Sequence, residues 1–236
     1  MISSLTNERV KKIMKLYTSK GRKEAKSFVV EGPHLVKEAK EANLLIEAYT
    51  TSDKYEGELV SFDVMKKICK TDTPTPQIGI CKLIEKKEIG NLVLLLDEIQ
   101  DPGNLGTLMR SACAFGFETI FLADKTVDIY NDKAIRSSQG AIFKLNFIYG
   151  DKIDFIDKMK KTHHIYSTNV VNGINVSDVK EEKRYVLILG NEGNGVSKEI
   201  NELNLDSLYI PITQTESLNV SVAGSILMYE LKNKAN

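Results

Sequence analysis

The chain has 236 residues and a mass of 26.4 kDa, enough for one large domain or two modest ones. Hydrophobic residues make up 42% and charged residues 27%, so the composition excludes a wholly disordered chain. Apolar runs stop at about five residues, far below the roughly 20 that a membrane-spanning helix needs, and the N-terminus lacks the apolar stretch of a signal peptide. Three cysteines form no CxxC pair, which predicts reduced thiols in a cytoplasmic protein. No metal site is expected, because the adjacent His163 and His164 have no cysteine or carboxylate at ligand spacing.

The charge is unevenly distributed along the chain, although its 32 basic and 32 acidic residues cancel. Residues 1–26 contain eight basic and two acidic side chains, a net charge of +6. A segment of this kind is typical of proteins that bind phosphates, although a solvated helix face has the same composition. The candidate phosphate-binding side chains are Arg9, Lys11, Lys12, Lys15, Arg22 and Lys23.

The first 72 residues predict a small α/β module. Val10, Ile13 and Tyr17 share one apolar face of a helix that Asn7 caps and that extends to about residue 18. Strands are predicted over 28–30, 45–50 and 59–62, and helices over 34–42 and 64–69. Two prolines then interrupt the pattern, so residues 73–89 are interpreted as a linker or domain edge, and the apolar stretch at 77–83 could belong to either side.

Residues 90–236 alternate strand and helix more regularly. The continuous apolar run at 92–96 is typical of a parallel strand that is covered on both faces. Further strands are predicted over 119–122, 144–149, 165–168, 185–189 and 207–210, and helices over 105–115, 153–160, 196–203 and 220–232. The predicted class is therefore α/β with a mostly parallel sheet.

Three loops that follow predicted strands, at 97–110, 189–197 and 210–223, have unusual composition. Because ligands bind beyond the C-terminal ends of the strands in open α/β sheets, these loops are candidates for one site. Each loop also has a purely structural interpretation. The first would carry an ordinary exposed arginine, the second would be a glycine-rich helix start capped by Ser197, and the third would be a cluster of helix caps.

Together the three loops resemble the SpoU/TrmH family of the SPOUT superfamily, which are S-adenosylmethionine-dependent RNA ribose 2′-O-methyltransferases. The matching stretches are Asp101-Pro-Gly-Asn-Leu-Gly-Thr-Leu-Met-Arg110, Gly190-Asn-Glu-Gly-Asn-Gly195, and Ile210-Pro-Ile followed by Glu216-Ser-Leu-Asn-Val-Ser-Val-Ala223. The N-terminal third is similar to the family's ribosomal-protein-like domain through Lys20-Gly-Arg22 and Phe28-Val-Val-Glu-Gly32. The resemblance implies an RNA-binding domain over 1–72 and a trefoil-knotted SPOUT methyltransferase domain over 90–236.

The resemblance also implies a substrate, a cofactor and an assembly. Large-subunit rRNA is the expected substrate, with tRNA or a non-catalytic RNA-binding role as alternatives. The expected cofactor is S-adenosylmethionine, and the expected assembly is a homodimer with its interface beside the active sites. A nucleotide enzyme with another Rossmann-like fold would lack the cluster at 216–219.

The same resemblance assigns roles to individual residues. The catalytic candidates are Asn104, Arg110, Glu192, Ser217 and Asn219. The cofactor-binding candidates are Thr168, Gly190, Asn191, Gly193, Ile210, Leu218 and, again, Asn219. Because the pKa of an arginine side chain stays above about 12 in proteins, we expect Arg110 to stabilise developing alkoxide charge rather than to act as a literal base.

Overall fold

The computed structural model describes residues 1–235, which divide into two compact units. One unit comprises Met1–Glu85 and Tyr130–Phe143, and the other comprises Lys86–Ile129 and the chain from Lys144 onward. This division differs from the predicted boundaries at residues 72 and 90. The difference has two causes. Residues 77–82 of the predicted linker form a strand of the first unit, and residues 130–143, which lie between two strands of the second unit along the chain, also belong to the first.

The helices alternate with strands through most of the chain. The α-helices are α1 (Glu8–Lys15), α2 (Ser19–Ala25), α3 (Pro33–Glu41), α4 (Phe62–Ile68), α5 (Pro102–Ala114), α6 (Asp132–Ser138), α7 (Lys152–Met159), α8 (Lys198–Asn201) and α9 (Val220–Lys234). The strands are β1 (Ser27–Glu31), β2 (Leu45–Thr50), β3 (Glu58–Leu59), β4 (Gln77–Lys82), β5 (Leu92–Leu96), β6 (Thr119–Leu122), β7 (Asn146–Tyr149), β8 (His164–Thr168), β9 (Ile174–Asn175), β10 (Tyr185–Leu189) and β11 (Asp206–Tyr209). Over residues 1–235, no helix is both long and apolar enough to cross a membrane.

The first unit is built on a four-stranded sheet in the order β1-β4-β2-β3. Strand β4 lies between β1 and β2 and is antiparallel to both. The stretch at 77–83, which the sequence pattern left between two domains, therefore holds a central strand of the first sheet. Residues 130–143 complete the core of this unit, because the Phe28 ring packs against Tyr130 at 4.6 Å and Phe143 at 6.3 Å between centroids.

A buried carboxylate, Glu31 at the end of β1, joins several segments of the first unit. It lies 2.8 Å from the Tyr17 hydroxyl and accepts hydrogen bonds from the backbone N–H groups of Lys70, at 2.8 Å, and Thr71, at 3.3 Å. The Arg136 guanidinium of α6 lies 4.0 Å away. Burial and the neighbouring Glu31 carboxylate raise the pKa of Tyr17 far above its usual range. The hydroxyl therefore remains protonated at neutral pH.

The second unit is built on a seven-stranded sheet in the order β7-β6-β5-β10-β8-β11-β9, and every recorded pairing is parallel. Its central strands β5 and β10 are buried along their whole length. The predicted α/β class with a parallel sheet is confirmed for this unit. The carboxyl ends of β5, β8, β10 and β11 lie on one edge of the sheet, so the loops that follow these strands converge there.

Helices α5 and α9 pack closely behind that edge. The Ser111 hydroxyl lies 2.7 Å from that of Ser225. A Cβ atom at Gly224 would lie 2.5 Å from Leu189 Cδ1 and 2.7 Å from Leu108 Cδ2, which is too close for a side chain. Because residue 224 is glycine, α9 can pack directly against Leu189 of β10 and Leu108 of α5.

The thiols of the chain are unpaired. Cys69, Cys81 and Cys113 are all free, and the first two are buried. Burial raises the pKa of the Cys81 thiol to about 12, so its reactive thiolate form is disfavoured. Among residues 1–235, no three His, Cys, Asp or Glu side chains are grouped so that they could hold a metal ion.

Candidate active site

A cavity of about 220 Å³ opens at the carboxyl edge of the seven-stranded sheet. Its wall combines the second and third predicted loops with residues 168–170, which follow β8. The sequence pattern gave no signal for Asn169 and Val170, which are ordinary loop residues by type. Six of the predicted cofactor residues line the cavity together with the catalytic candidates Glu192 and Ser217: Thr168, Gly190, Asn191, Gly193, Ile210 and Leu218.

The glycine-rich turn after β10 is a closed backbone loop. The backbone N–H and C=O groups of Asn191 and Gly195 bond reciprocally at 2.8 and 2.9 Å. A Cβ atom at Gly190 would collide with the backbone of Gly195, and Gly195 itself has a φ of +67°, so both positions require glycine. The Asn191 side chain accepts from the Gly193 N–H at 2.9 Å and donates to the Glu98 carbonyl at 2.9 Å. The turn therefore presents backbone polar groups to the cavity from a fixed position.

Three side chains, one from each predicted loop, form a continuous chain of hydrogen bonds. The Asn104 amide donates to Glu192 Oε1 at 3.1 Å, and the Asn219 amide donates to Asn104 Oδ1 at 3.0 Å. Asn219 also caps α9, because its Oδ1 accepts from the Ser221 N–H at 2.9 Å. This chain of side chains brings the three motifs together at one place, as the sequence predicted.

Glu192 is held in its charged form. It accepts hydrogen bonds from the backbone N–H groups of Asp101, at 3.2 Å, and Gln100, at 3.4 Å. Partial burial by itself raises the pKa of Glu192, but the hydrogen bonds from Asn104 and from the backbone outweigh burial and hold the pKa below its usual value. Glu192 is therefore a hydrogen-bond acceptor at neutral pH and is poorly suited to donate a proton.

Two of the catalytic candidates do not join this chain. Arg110 is exposed and makes no hydrogen bond or ion pair with any of the described residues 1–235. It lies roughly 9 Å from Asn104 along the axis of α5, since helical residues rise 1.5 Å each. Ser217 is also exposed and borders the cavity without a hydrogen bond to the described part of the chain.

The structure adds two residues that the sequence did not indicate, Asp97 and Lys152. Asp97 follows β5, is fully buried and lies 2.7 Å from the Lys152 ammonium group. Ser197 begins α8 without a side-chain capping bond, and its hydroxyl accepts from Lys152 at 2.7 Å instead. An aspartate directly after a continuous apolar strand was the available signal for Asp97. No local pattern could identify Lys152, because it approaches from α7.

The predicted phosphate-binding cations of the first unit fall into different classes. Lys12, Lys15 and Lys23 are exposed and form no ion pair within residues 1–235. Arg9 pairs with Glu58, and Lys11 pairs with Glu8. The prediction for Arg22 is corrected by its burial, since its guanidinium donates to the Leu16 carbonyl at 3.1 Å inside the unit.

Comparison with protein-family models identifies the class of this chain. The SpoU rRNA Methylase family model matches residues 91–229, and the MRM3-like substrate binding domain model matches residues 7–79. The chain belongs to the SpoU rRNA methylase family.

Individual relatives agree with this assignment. The 23S rRNA (guanosine(2553)-2′-O)-methyltransferase RlmP of Bacillus subtilis is 36% identical to this chain over 98% of both chains. The 23S rRNA (adenosine(1067)-2′-O)-methyltransferase of Streptomyces azureus is 27% identical over 73% of this chain and 68% of its own length. The crystal structure of an AdoMet-bound rRNA methyltransferase from Sinorhizobium meliloti matches with a TM-score of 0.85 and 27% identity, over 98% of this chain and 97% of that chain. The predicted family and SPOUT-type fold class are confirmed.

We expect the pKa of Glu192 to depend on Asn104. Replacing Asn104 with Ala removes a hydrogen bond that lowers this pKa, so the pKa should rise, and the carboxylate should be lost at a higher pH than in the parent. Carboxyl-carbon NMR of Glu192 during an acid titration measures the change. The control is Thr107→Ala, also on α5, whose hydroxyl donates to the Gly103 carbonyl at 2.9 Å. Equal pKa values in the parent and the Asn104 variant would contradict the assigned hydrogen bond.

Proposed function

We propose that this chain transfers a methyl group from S-adenosylmethionine to the 2′-hydroxyl of one ribose in large-subunit ribosomal RNA. The predicted activity class, an S-adenosylmethionine-dependent RNA ribose 2′-O-methyltransferase, is confirmed by the family match and the rRNA-methylating relatives. The observation that carries the proposal is the chain of hydrogen bonds from Glu192 through Asn104 to Asn219 beside the cavity. Transfer RNA is the alternative substrate.

The cavity offers the kinds of groups that S-adenosylmethionine needs. Leu189, Ile210 and Leu218 provide apolar surface for the faces of the adenine ring. The backbone of Gly190 and Gly195 can lie close to a ligand because neither residue carries a side chain. S-adenosylmethionine, when bound, supplies a methyl group activated by its sulfonium charge.

The polar side chains beside the cavity are suited to hold a sugar hydroxyl. Each of the Asn104 and Asn219 amide groups uses one N–H in the chain of hydrogen bonds and retains a second donor. The carboxylate of Glu192, whose pKa is lowered, can accept a hydrogen bond. Because these groups are fixed by one another before substrate binds, little reorganisation is needed when the ribose arrives.

Arg110 is proposed to stabilise negative charge on the 2′-oxygen and on a neighbouring phosphate. Its guanidinium has no carboxylate partner within residues 1–235 and is therefore available to the substrate. A literal base role would require a strongly desolvated guanidinium, whereas Arg110 is exposed. The exposure supports the electrostatic role.

We also propose that the enzyme is cytoplasmic, since ribosomal RNA is its proposed substrate. We propose further that it is a homodimer, because α9 has an exposed apolar face. Val222, Ile226 and Tyr229 share this face and are 49%, 37% and 50% exposed. Contiguous exposed apolar surface commonly marks an interface, and α5, which bears Arg110, packs beside α9. Sedimentation velocity on the parent and on Ile226→Glu tests the assembly, and a monomeric parent would contradict it.

The proposed reaction predicts that the modified ribose can be identified chemically. Replacing the target ribose with 2′-deoxyribose should abolish methyl transfer while barely weakening RNA binding, because only the nucleophile is removed. The RNA product should resist alkaline cleavage at one linkage. Mass spectrometry of nucleosides from the product locates the methyl group, and a methyl group on a base would contradict the proposal.

Replacing Arg110 with Ala should lower the rate of methyl transfer by about 10²–10³-fold, the usual effect of removing one charge-stabilising donor. The affinity for S-adenosylmethionine should stay near that of the parent, because Arg110 does not line the cavity. Single-turnover kinetics and calorimetry measure the two quantities. The control is Lys161→Ala, which removes another exposed cation of the same unit. An unchanged rate in the Arg110 variant would exclude the assigned role.

The unpaired lysines of α1 should contribute to RNA affinity. In the Lys12→Ala, Lys15→Ala double variant, the slope of log affinity against log salt should become shallower by roughly 1.4–1.8, the contribution expected from two phosphate contacts. The matched control is Lys37→Ala, Lys40→Ala, which removes two α3 lysines that pair with Glu41 and Glu56. If both double variants show the same salt dependence, α1 does not contact phosphates.

A further inference from the structure

One buried residue, Asp97, is hydrogen-bonded to both ends of the glycine-rich turn that lines the cavity, through its backbone at one end and its side chain at the other. At the start of the turn, the Asp97 backbone N–H donates to the Leu189 carbonyl at 2.9 Å. At its end, Asp97 Oδ2 accepts from the Ser197 N–H at 2.8 Å. The turn between these two bonds contributes Gly190, Asn191 and other residues to the cavity wall. The position of the cavity wall therefore depends on Asp97.

The charge of Asp97 is balanced by Lys152, the first residue of α7. The ammonium group lies 2.7 Å from Asp97 Oδ1 and donates to the Ser197 hydroxyl at 2.7 Å. The carboxylates of Glu199 and Glu98 are more distant, at 3.7 and 4.0 Å. Lys152 thus contacts the side chain that fastens the turn and also the residue at which the turn ends. An unbalanced charge at Asp97, which is fully buried, would be strongly unfavourable.

We propose that Lys152, acting through Asp97 and Ser197, is a positioning residue for S-adenosylmethionine binding, an inference that rests on the proposed function. Neither Lys152 nor Asp97 lines the cavity, so their effect passes through the turn. The turn contains three glycines, whose backbones have many accessible conformations when they are not held. Loss of Lys152 removes the hydrogen bond to the Ser197 hydroxyl and the charge partner of Asp97, while the Asn191–Gly195 backbone bonds remain. The Ser197 end of the turn must then be ordered by the ligand, and this ordering reduces affinity.

A positioning role and simple stabilisation of the fold can be distinguished, because they change different kinetic constants. Asn104 and Arg110 form no hydrogen bond or ion pair with Lys152 in the described chain. Glu192 lies in the turn itself, and saturating cofactor, by ordering the turn, should return it to its position. Loss of Lys152 should therefore weaken cofactor binding without slowing the reaction of the saturated enzyme. General destabilisation would instead lower the fraction of folded protein and leave the affinity of the folded molecules unchanged.

The experiment compares full-length variants in S-adenosylmethionine titration calorimetry and in steady-state methylation of RNA. Lys152→Met should raise the dissociation constant and the KM for S-adenosylmethionine by about tenfold or more, with kcat at saturating cofactor within about threefold of the parent. Lys152→Arg, which keeps the charge and donors, should restore most of the affinity. Ser197→Ala removes the hydroxyl that accepts from Lys152 and bonds the Glu199 carboxylate, but keeps the Ser197 N–H bond to Asp97. It should raise the KM by about threefold, which gives a second test if Lys152→Met does not fold.

The matched control is Met159→Ala on the same helix. Met159 is buried in the core of the unit and does not line the cavity, so its truncation lowers thermal stability while every hydrogen bond of the turn is kept. We expect its KM for S-adenosylmethionine to equal that of the parent. Parental cofactor affinity in Ser197→Ala and in folded Lys152→Met, or an equal rise in KM in Met159→Ala, would overturn the positioning role. A parent that binds no S-adenosylmethionine would overturn the proposed function itself.

Discussion

The site depends first on the parallel register of β5 and β10. Leu96 pairs with Leu189 at the ends of these strands, so the chain leaves the sheet at Asp97 and Gly190 as direct neighbours. Parallel strands place their carboxyl ends on the same edge, and this adjacency lets two loops about 90 residues apart in sequence bond to each other. Glu192 can reach Asn104, and Asp97 can reach Ser197, only because that register is kept.

Helix capping and the functional site use the same side chains. Asp101 caps α5 by accepting from the Asn104 N–H, which fixes the backbone that carries the Asn104 amide. Asn219 caps α9 through its oxygen and donates to Asn104 through its nitrogen. An amide can do both because it has an acceptor and donors, whereas an ionised aspartate cap, which only accepts, would leave Asn104 Oδ1 without that donor. Asn219 thus meets two requirements at once: it caps α9 and it donates a hydrogen bond to Asn104.

The sequence predicted the parts of the structure that depend on local pattern. Each of these parts has a signal contained in about ten neighbouring residues, and each was placed correctly: the apolar run of β5, the helix capped by Asn7 and the three loops. Three features depend on contacts distant in sequence and could not be predicted. They are the central position of β4, the packing of residues 130–143 onto Phe28, and the approach of Lys152 to Asp97. Helix α2 was also missed, because it contains no large apolar side chain and its buried residues are Gly21 and Arg22, so it shows no helical periodicity.

Counting charges along the sequence describes the electrostatics of this chain poorly, because pairing decides which cations can meet a phosphate. Arg9 and Lys11 already form ion pairs with Glu58 and Glu8, and Arg22 is buried with its guanidinium bonded to a backbone carbonyl. Arg110 is different because of its spacing on α5: the residues three and four positions away on either side are Gly106, Thr107, Cys113 and Ala114. None of these is acidic, so the helix supplies no ion-pair partner at the distances where helical side chains meet. Because no acidic side chain of α5 pairs with it, the Arg110 guanidinium can form an ion pair with an anion that approaches this helix.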